Sequence, residues 1–250
     1  MRGVVLKSHW EPTASIAYLV RKEVPGIEVF GGICLSRAVG GINPAAVEEM
    51  AKITGGYGRI VWMPTSDAEN VVRAAKSNAP FVSVSRDGQL LPAVKEVIAS
   101  IAKHNLVLAT GHSSAEEVLM LVREGRRQGV QHMVVTHAMS RTPHMTIPQM
   151  QAAAKEGAFI ELVYVHTLTI PELGRTTIFT VAEAAEAIRK IGIDSVILST
   201  DMGQVGIQPP TEGLAAFAAG LRAQGFSDAD LDRLLKANPA RLLRLPTASR

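Results

Sequence analysis

A single cysteine, Cys34, stands in 250 residues, so no intrachain disulfide can form and the chain suits a reducing compartment. It falls within the apolar run "FGGICL", where a thiol is expected to be buried and inert. Aromatic residues make up only 4% of the chain, so the core must be built from Val, Ile, Leu, Ala and Met. No segment reaches the ~18 consecutive apolar residues of a membrane span. The first residues lack the apolar stretch of a signal peptide, which makes the cytoplasm the expected location. Basic residues run no further than "GRR" at 125–127 and the formal net charge is +3, so nothing points to a nucleic-acid partner. The glycine pairs at 31–32, 40–41 and 55–56 do not match GxGxxG between strand and helix. There is no Walker sequence either, and a nucleotide site of those kinds is excluded.

What is present is a regular alternation of strand and helix. Short β-branched runs predict strands at 3–9, 27–35, 59–65, 106–112, 132–138, 158–165 and 195–201. Helical patterns cover 44–53, 67–77, 92–103, 114–128, 147–156, 181–190 and 213–224, with a last pair at 228–236 and 239–244. Ser114 with Glu117 forms a capping box that opens the 114–128 helix, and Gly129 closes it. Pro239 reads as the first helical position after an Asn238 cap. The stretch "FVSVSRDGQLL" carries Asp87–Gly88 and predicts a hairpin. Alternating strands and helices imply parallel strands joined by crossover helices. No repeat or linker interrupts the chain, so residues 1–250 read as a single domain. The expected fold is α/β: a TIM-like barrel, incomplete, with seven main parallel strands and a small hairpin excursion.

Three of those strands end alike, in "LATGH", "VVTHA" and "LSTD". In a parallel barrel all carboxyl ends open on one face, so His112, His137 and Asp201 are expected to converge there. Two imidazoles and a carboxylate suit a divalent ion, zinc above all, with manganese an alternative. Such an ion lowers the pKa of water towards about 7, and a carboxylate beside it can move the proton. Asp201 is therefore the expected acid–base group. Each residue also has a plainer reading, as a hydrogen-bonded loop histidine or a turn-capping aspartate. Alternation along 3–9 puts Lys7 and His9 on one face, where they join Glu161 as further metal-site candidates. Arg37, Arg141 and His144 lie in loops on the presumed active face, where they could meet substrate. His166, in the loop after its strand, is expected at the surface, and His132 at the opposite strand end is expected to be structural.

The stretch "VLATGHSSAEEVLMLVREGRRQGVQHMVVTHA" resembles the fifth and sixth strands of the amidohydrolase superfamily, each ending in a metal-binding histidine. "VILSTDMGQ" resembles its eighth strand, whose aspartate binds metal and moves the proton, and "NPARLLRL" resembles its C-terminal helix. "VVLKSHWEPT", "NPAAVE" and "RIVWMPT" look like an uncharacterised bacterial subgroup within it. The resemblance implies a metal-dependent hydrolase acting on an amide, lactone or ester-type bond of a small-molecule substrate. It assigns metal-site roles to His112, His137 and Asp201. By the same resemblance "GVVLKSH" corresponds to the second strand, and the first strand with its His-x-His pair is absent from these residues. Several accounts are open. One is a misassigned start or a chain that is a fragment; another is a natural short form completed by Lys7, His9 or Glu161. A third is a degenerate, metal-free barrel that binds a small molecule, and a barrel phosphoesterase is a further alternative. A barrel short of one strand leaves apolar edges at 3–9 and 195–201, which a helix, a loop or a homo-oligomeric partner is expected to cover.

Overall fold

The structure, a computed structural model, describes residues 2–245. The chain forms two compact units, Met1–Val135 and Thr136–Arg250. Among the described residues no helix is long and apolar enough to cross a membrane.

The first unit is built on parallel strands β1 (Gly3–Val5), β2 (Glu28–Cys34) and β3 (Gly58–Trp62), a hairpin β4 (Ser85–Arg86) and β5 (Gln89–Leu90), then β6 (Val107–Ala109) and β7 (His132–Val135). The parallel strands pair in the order β1, β2, β3, β6, β7. The hairpin is antiparallel, and the predicted Asp87–Gly88 pair turns it with φ of 50° and 73°. Helices α1 (Ala14–Glu23), α2 (Pro44–Ala51), α3 (Glu69–Ala74), α4 (Pro92–Lys103) and α5 (Ala115–Arg127) fill the crossovers. The Ser114–Glu117 capping box is present at the start of α5, and Gly129 follows its end with φ of 82°.

Helix α1 was not expected from the pattern, and its composition explains why. It turns Ala14 and Ala17 to the core and leaves Ile16 and Leu19 exposed, so its large apolar residues mark the wrong face. Small residues are needed because the chain before α1 lies directly on β2. The Thr13 hydroxyl donates to Leu6 O at 2.8 Å and accepts from Gly32 N at 3.0 Å. A Cβ on Gly32 would stand 1.9 Å from Ile60 O, so only glycine allows the bulge between β2 and β3.

The second unit holds α6 (Ile147–Lys155), β8 (Ala158–Val163), α7 (Val181–Ile191), β9 (Val196–Ser199), α8 (Pro210–Ala223), α9 (Asp228–Asp232) and α10 (Asn238–Leu242). Strands β8 and β9 are parallel, with Glu161 opposite Ile197. Capping boxes at Thr146–Gln149 and Thr180–Glu183 start α6 and α7. Asn238 does not cap α10 as the sequence suggests, because a π-helical turn at Arg233–Ala237 brings the chain in already helical. Its buried amide instead donates to Ile193 O at 2.8 Å and Val196 O at 2.7 Å, tying this helix to the start of β9.

Strands end sooner than β-branched composition implies. β1 stops at Val5, so Lys7 and His9 lie beyond it rather than on an inward strand face. β6 stops at Ala109, three residues before His112, and β9 at Ser199, two before Asp201.

Candidate metal centre

The site forms where β8 and β9 end. His137 and Asp201 both hold left-handed backbone, with φ of 48° and 50°. That conformation is uncommon outside glycine and costs roughly 1–2 kcal/mol. At these two corners it turns the side chains out of the strand direction and toward each other. His166 joins them from a 3₁₀ turn, Tyr164–Thr167, directly after β8. One ligand atom each from His137, His166 and Asp201 lies within 4.8 Å of the others.

Hydrogen bonds fix this arrangement. The His137 amide donates to Glu161 Oε2 at 3.2 Å, and the Ser199 hydroxyl donates to Glu161 Oε1 at 2.8 Å. The Ala138 amide donates to Glu161 O at 3.1 Å, and Val165 N to Thr200 O at 3.1 Å. Glu161 therefore braces the corner at His137 from β8 while β9 holds its other oxygen. The His137 ring nitrogen Nε2 stands 3.7 Å from both Glu161 Oε2 and Asp201 Oδ2. That is too long for a hydrogen bond and close to the ~3.4 Å between tetrahedral ligands with bonds of 2.0–2.1 Å.

The His166 ring packs edge-on against His137 at 5.6 Å between centroids and against Phe179 at 6.3 Å. Its buried Nδ1 has no hydrogen-bond partner. Burial holds its pKa below the ordinary histidine value; Asp201 opposes this, while Arg175 and Arg141 reinforce it. A neutral imidazole with a free lone pair is the form that binds a metal. Two imidazoles, one orphaned nitrogen and an adjacent carboxylate thus fit a divalent ion of the zinc type.

His137 lies beside Glu161 and Asp201, its Nε2 within 3.7 Å of a carboxylate oxygen of each. His166 is the member the sequence reading placed at the surface. It is half-buried within the cluster because the 3₁₀ turn folds back, with Ile178 N donating to His166 O at 2.8 Å. Its signal was its position three residues after a strand, the same end of the strand as the other candidates. His144 is exposed in left-handed backbone, and exposed Arg141 donates to Thr176 Oγ1 at 2.5 Å.

In the first unit, His112 follows Gly111 in left-handed backbone with φ of 61°, and its amide donates to Pro64 O at 2.9 Å. His9 Nδ1 shares a hydrogen bond of 2.6 Å with the Thr65 hydroxyl, which also stands 3.0 Å from Cys34 Sγ. Burial pushes the Cys34 thiol above its ordinary pKa, against the Thr65 hydrogen bond and the Lys7 charge, as an inert thiol requires. The Arg37 amide donates to Asp67 Oδ2 at 2.7 Å. His132 begins β7, at the amino end of that strand.

The chain is similar in structure to an amidohydrolase from Pseudomonas aeruginosa, with TM-score 0.63 at 15% identity, covering 97% of this chain and 78% of that one. It is similar to the probable dipeptidase PvdM of the same organism, with TM-score 0.64 at 14% identity over 93% and 78% of the two chains. A TatD homologue from Escherichia coli K12 matches with TM-score 0.57 at 15% identity over 98% and 86%. The fold is therefore α/β, an incomplete TIM-like barrel shared with these structures, with seven main parallel strands and a hairpin among the described residues. No curated protein matches significantly. The chain belongs to a family of unknown function, DUF6282, whose model matches residues 1–161.

Proposed function

We propose that the chain is a metal-dependent hydrolase that cleaves an amide, lactone or ester-type bond in a small molecule. The observation that carries this reading is the convergence of one ligand atom each from His137, His166 and Asp201 within 4.8 Å, on residues of which His166 also carries an orphaned buried nitrogen. Its fold is shared with structures described as an amidohydrolase, a probable dipeptidase and an organophosphorus hydrolase, which supports the class. His137, His166 and Asp201 would hold the ion, zinc or manganese. When bound, the ion supplies Lewis acidity, polarising the substrate and making water acidic enough to react near neutrality.

The chain's own residues do the rest. Asp201 takes the proton of the attacking water and returns it to the leaving group. Glu161, held by Ser199 and the His137 amide, keeps His137 in its strained corner and sets the second negative charge beside the site. Two carboxyl groups beside two imidazoles give the pocket the donor set and charge a divalent cation requires. The family resemblance gives His112 a ligand's role as well.

The test is metal uptake followed by turnover. Chelator-stripped protein is dialysed against zinc or manganese, and bound metal is measured by mass spectrometry. About one equivalent is expected, falling to background in His166→Gln and Asp201→Asn; His112→Gln tests that residue's role in the same assay. Metal-loaded protein should then hydrolyse members of a panel of lactones, esters and amides. Wild-type protein that takes up no metal would overturn the proposal and favour a metal-free binding barrel.

A further inference from the structure

The first unit has an open surface hollow of about 440 Å³ that the metal-centre reading does not use. Its lining combines Trp10, Arg37, Ser66 and Asp67 with the apolar residues Ala38, Val72, Ala79 and Pro80. The volume lies in the lower part of the roughly 300–1,000 Å³ range of small-molecule sites.

Two polar groups of this lining are buried with unmet valence. Asp67 Oδ2 accepts from the Arg37 amide, but Asp67 Oδ1 is buried with no partner. The neighbouring Ser66 Oγ is likewise buried and without one. A buried acceptor left unsatisfied costs about 1–3 kcal/mol, and more when it carries charge, so such groups persist mainly where something else completes them. Among the described residues the Arg37 guanidinium makes no ion pair or hydrogen bond, although its own amide touches Asp67. Exposed Arg37 and the Asp67 carboxylate thus both line the hollow without forming an ion pair. Trp10, 63% exposed, presents an indole beside them. A large aromatic side chain left this open over a charged cavity suits contact with a ligand's apolar body or cationic head.

We propose that this cavity is a binding site for a small zwitterion of the amino-acid type. Its ammonium meets Asp67 Oδ1 and Ser66 Oγ, its carboxylate meets Arg37 in bidentate contact, and its side chain lies between Trp10 and the Val72–Pro80 wall. The opposite charges of Arg37 and Asp67 select a ligand carrying both signs. A simple amine or a simple acid would leave one of them unmatched. The site lies wholly within the first unit, and the proposal does not rest on the metal centre of the second.

Titration calorimetry on the full chain, kept in chelator so that metal binding cannot contribute, tests it. The probes are L-phenylalanine, L-leucine, phenethylamine and 3-phenylpropionate. The two amino acids should bind saturably, and the amine and the acid at least tenfold more weakly than phenylalanine. Arg37→Gln should weaken phenylalanine tenfold or more while leaving phenethylamine unchanged. Ser66→Ala and Trp10→Ala should each weaken phenylalanine severalfold, and neither removes the Asp67 contact that holds the Arg37 backbone. Circular dichroism confirms that each variant remains folded. Absence of saturable binding by both amino acids overturns the proposal, as does equal affinity for all four probes. Phenylalanine binding unchanged by Arg37→Gln overturns it too. None of these outcomes bears on metal uptake at His137, His166 and Asp201.

Discussion

Replacing His166 with phenylalanine separates a metal ligand from a structural histidine by the sign of its effect. Phenylalanine keeps a flat ring between His137 and Phe179, at the 5.6 and 6.3 Å centroid spacings, and removes the ring nitrogens. One of these, Nδ1, is buried without a partner, and deleting such an atom should recover about 1–3 kcal/mol. The slightly larger ring gives back about 1–3 kcal/mol through overpacking. In chelator the two terms nearly cancel, so the variant should lie within about 1 kcal/mol of wild type, or roughly 2–4 °C in Tm for a chain of this size. With zinc at a hundred times its Kd, wild type should gain about 2.7 kcal/mol, roughly 5–10 °C, and the variant almost nothing. Differential scanning fluorimetry with and without zinc measures both numbers. A variant that loses about 3 kcal/mol in chelator yet gains as much from zinc as wild type would refute the reasoning, because His166 would then support the fold and not the metal.

Three further outcomes follow from single interactions. Asn238→Ala leaves Ile193 O, part-buried, and Val196 O, buried, without the amide that serves them and should cost about 2 kcal/mol by urea denaturation; full retention of stability would show that the tie to β9 is incidental. Glu48 accepts from Ser100, His104 and Lys103, and these bonds hold its carboxyl down at a pKa of about 2. A depressed carboxylate contributes its stability above its unfolded value of 4.5 and loses it as pH falls towards about 2, so Glu48→Gln should lower stability at pH 7 and differ little from wild type at pH 2; equal melting curves at pH 7 would contradict this. At Asp201, with φ of 50°, asparagine keeps the left-handed corner while valine should cost about 1–2 kcal/mol, so Asp201→Asn and Asp201→Val should lose zinc uptake alike and differ in chelator-treated stability; equal stability would mean that the corner is unstrained.

Much of the architecture was legible because it follows from periodicity. The parallel strands, the Ser114–Glu117 cap and the Asp87–Gly88 hairpin are each written in a few adjacent residues. What was not legible depended on contacts distant in sequence. Helix α1 escaped because Thr13 and Gly32, 19 positions apart, demand small residues on its inner face. Asn238 looks like a cap until the π-helical turn before it is known, and that turn follows from how the segment meets the 193–196 carbonyls. Lys7 looked like a strand-interior lysine only because β-branched composition does not mark where β1 loses its partner at Val5.

The candidate site divides along the same line. Chain position alone put His137 and Asp201 at strand ends, but ligand-type residues become a site only when their side chains leave the strand direction. The backbone does this by adopting left-handed φ at both positions, where ordinary composition statistics favour glycine or asparagine. A histidine at φ of 48° is costly on its own, and here Glu161 holds it by accepting its amide. Glu161 therefore links the strain to the chemistry. It sits on β8, its two oxygens reach toward the His137 corner and Ser199 of β9, and the 3₁₀ turn carrying His166 begins three residues after it. A carboxylate in the middle of a strand, two residues before that strand ends, is the sequence feature that announces this arrangement. It is informative because an unpaired charge there would be too costly to keep without the corner it supports.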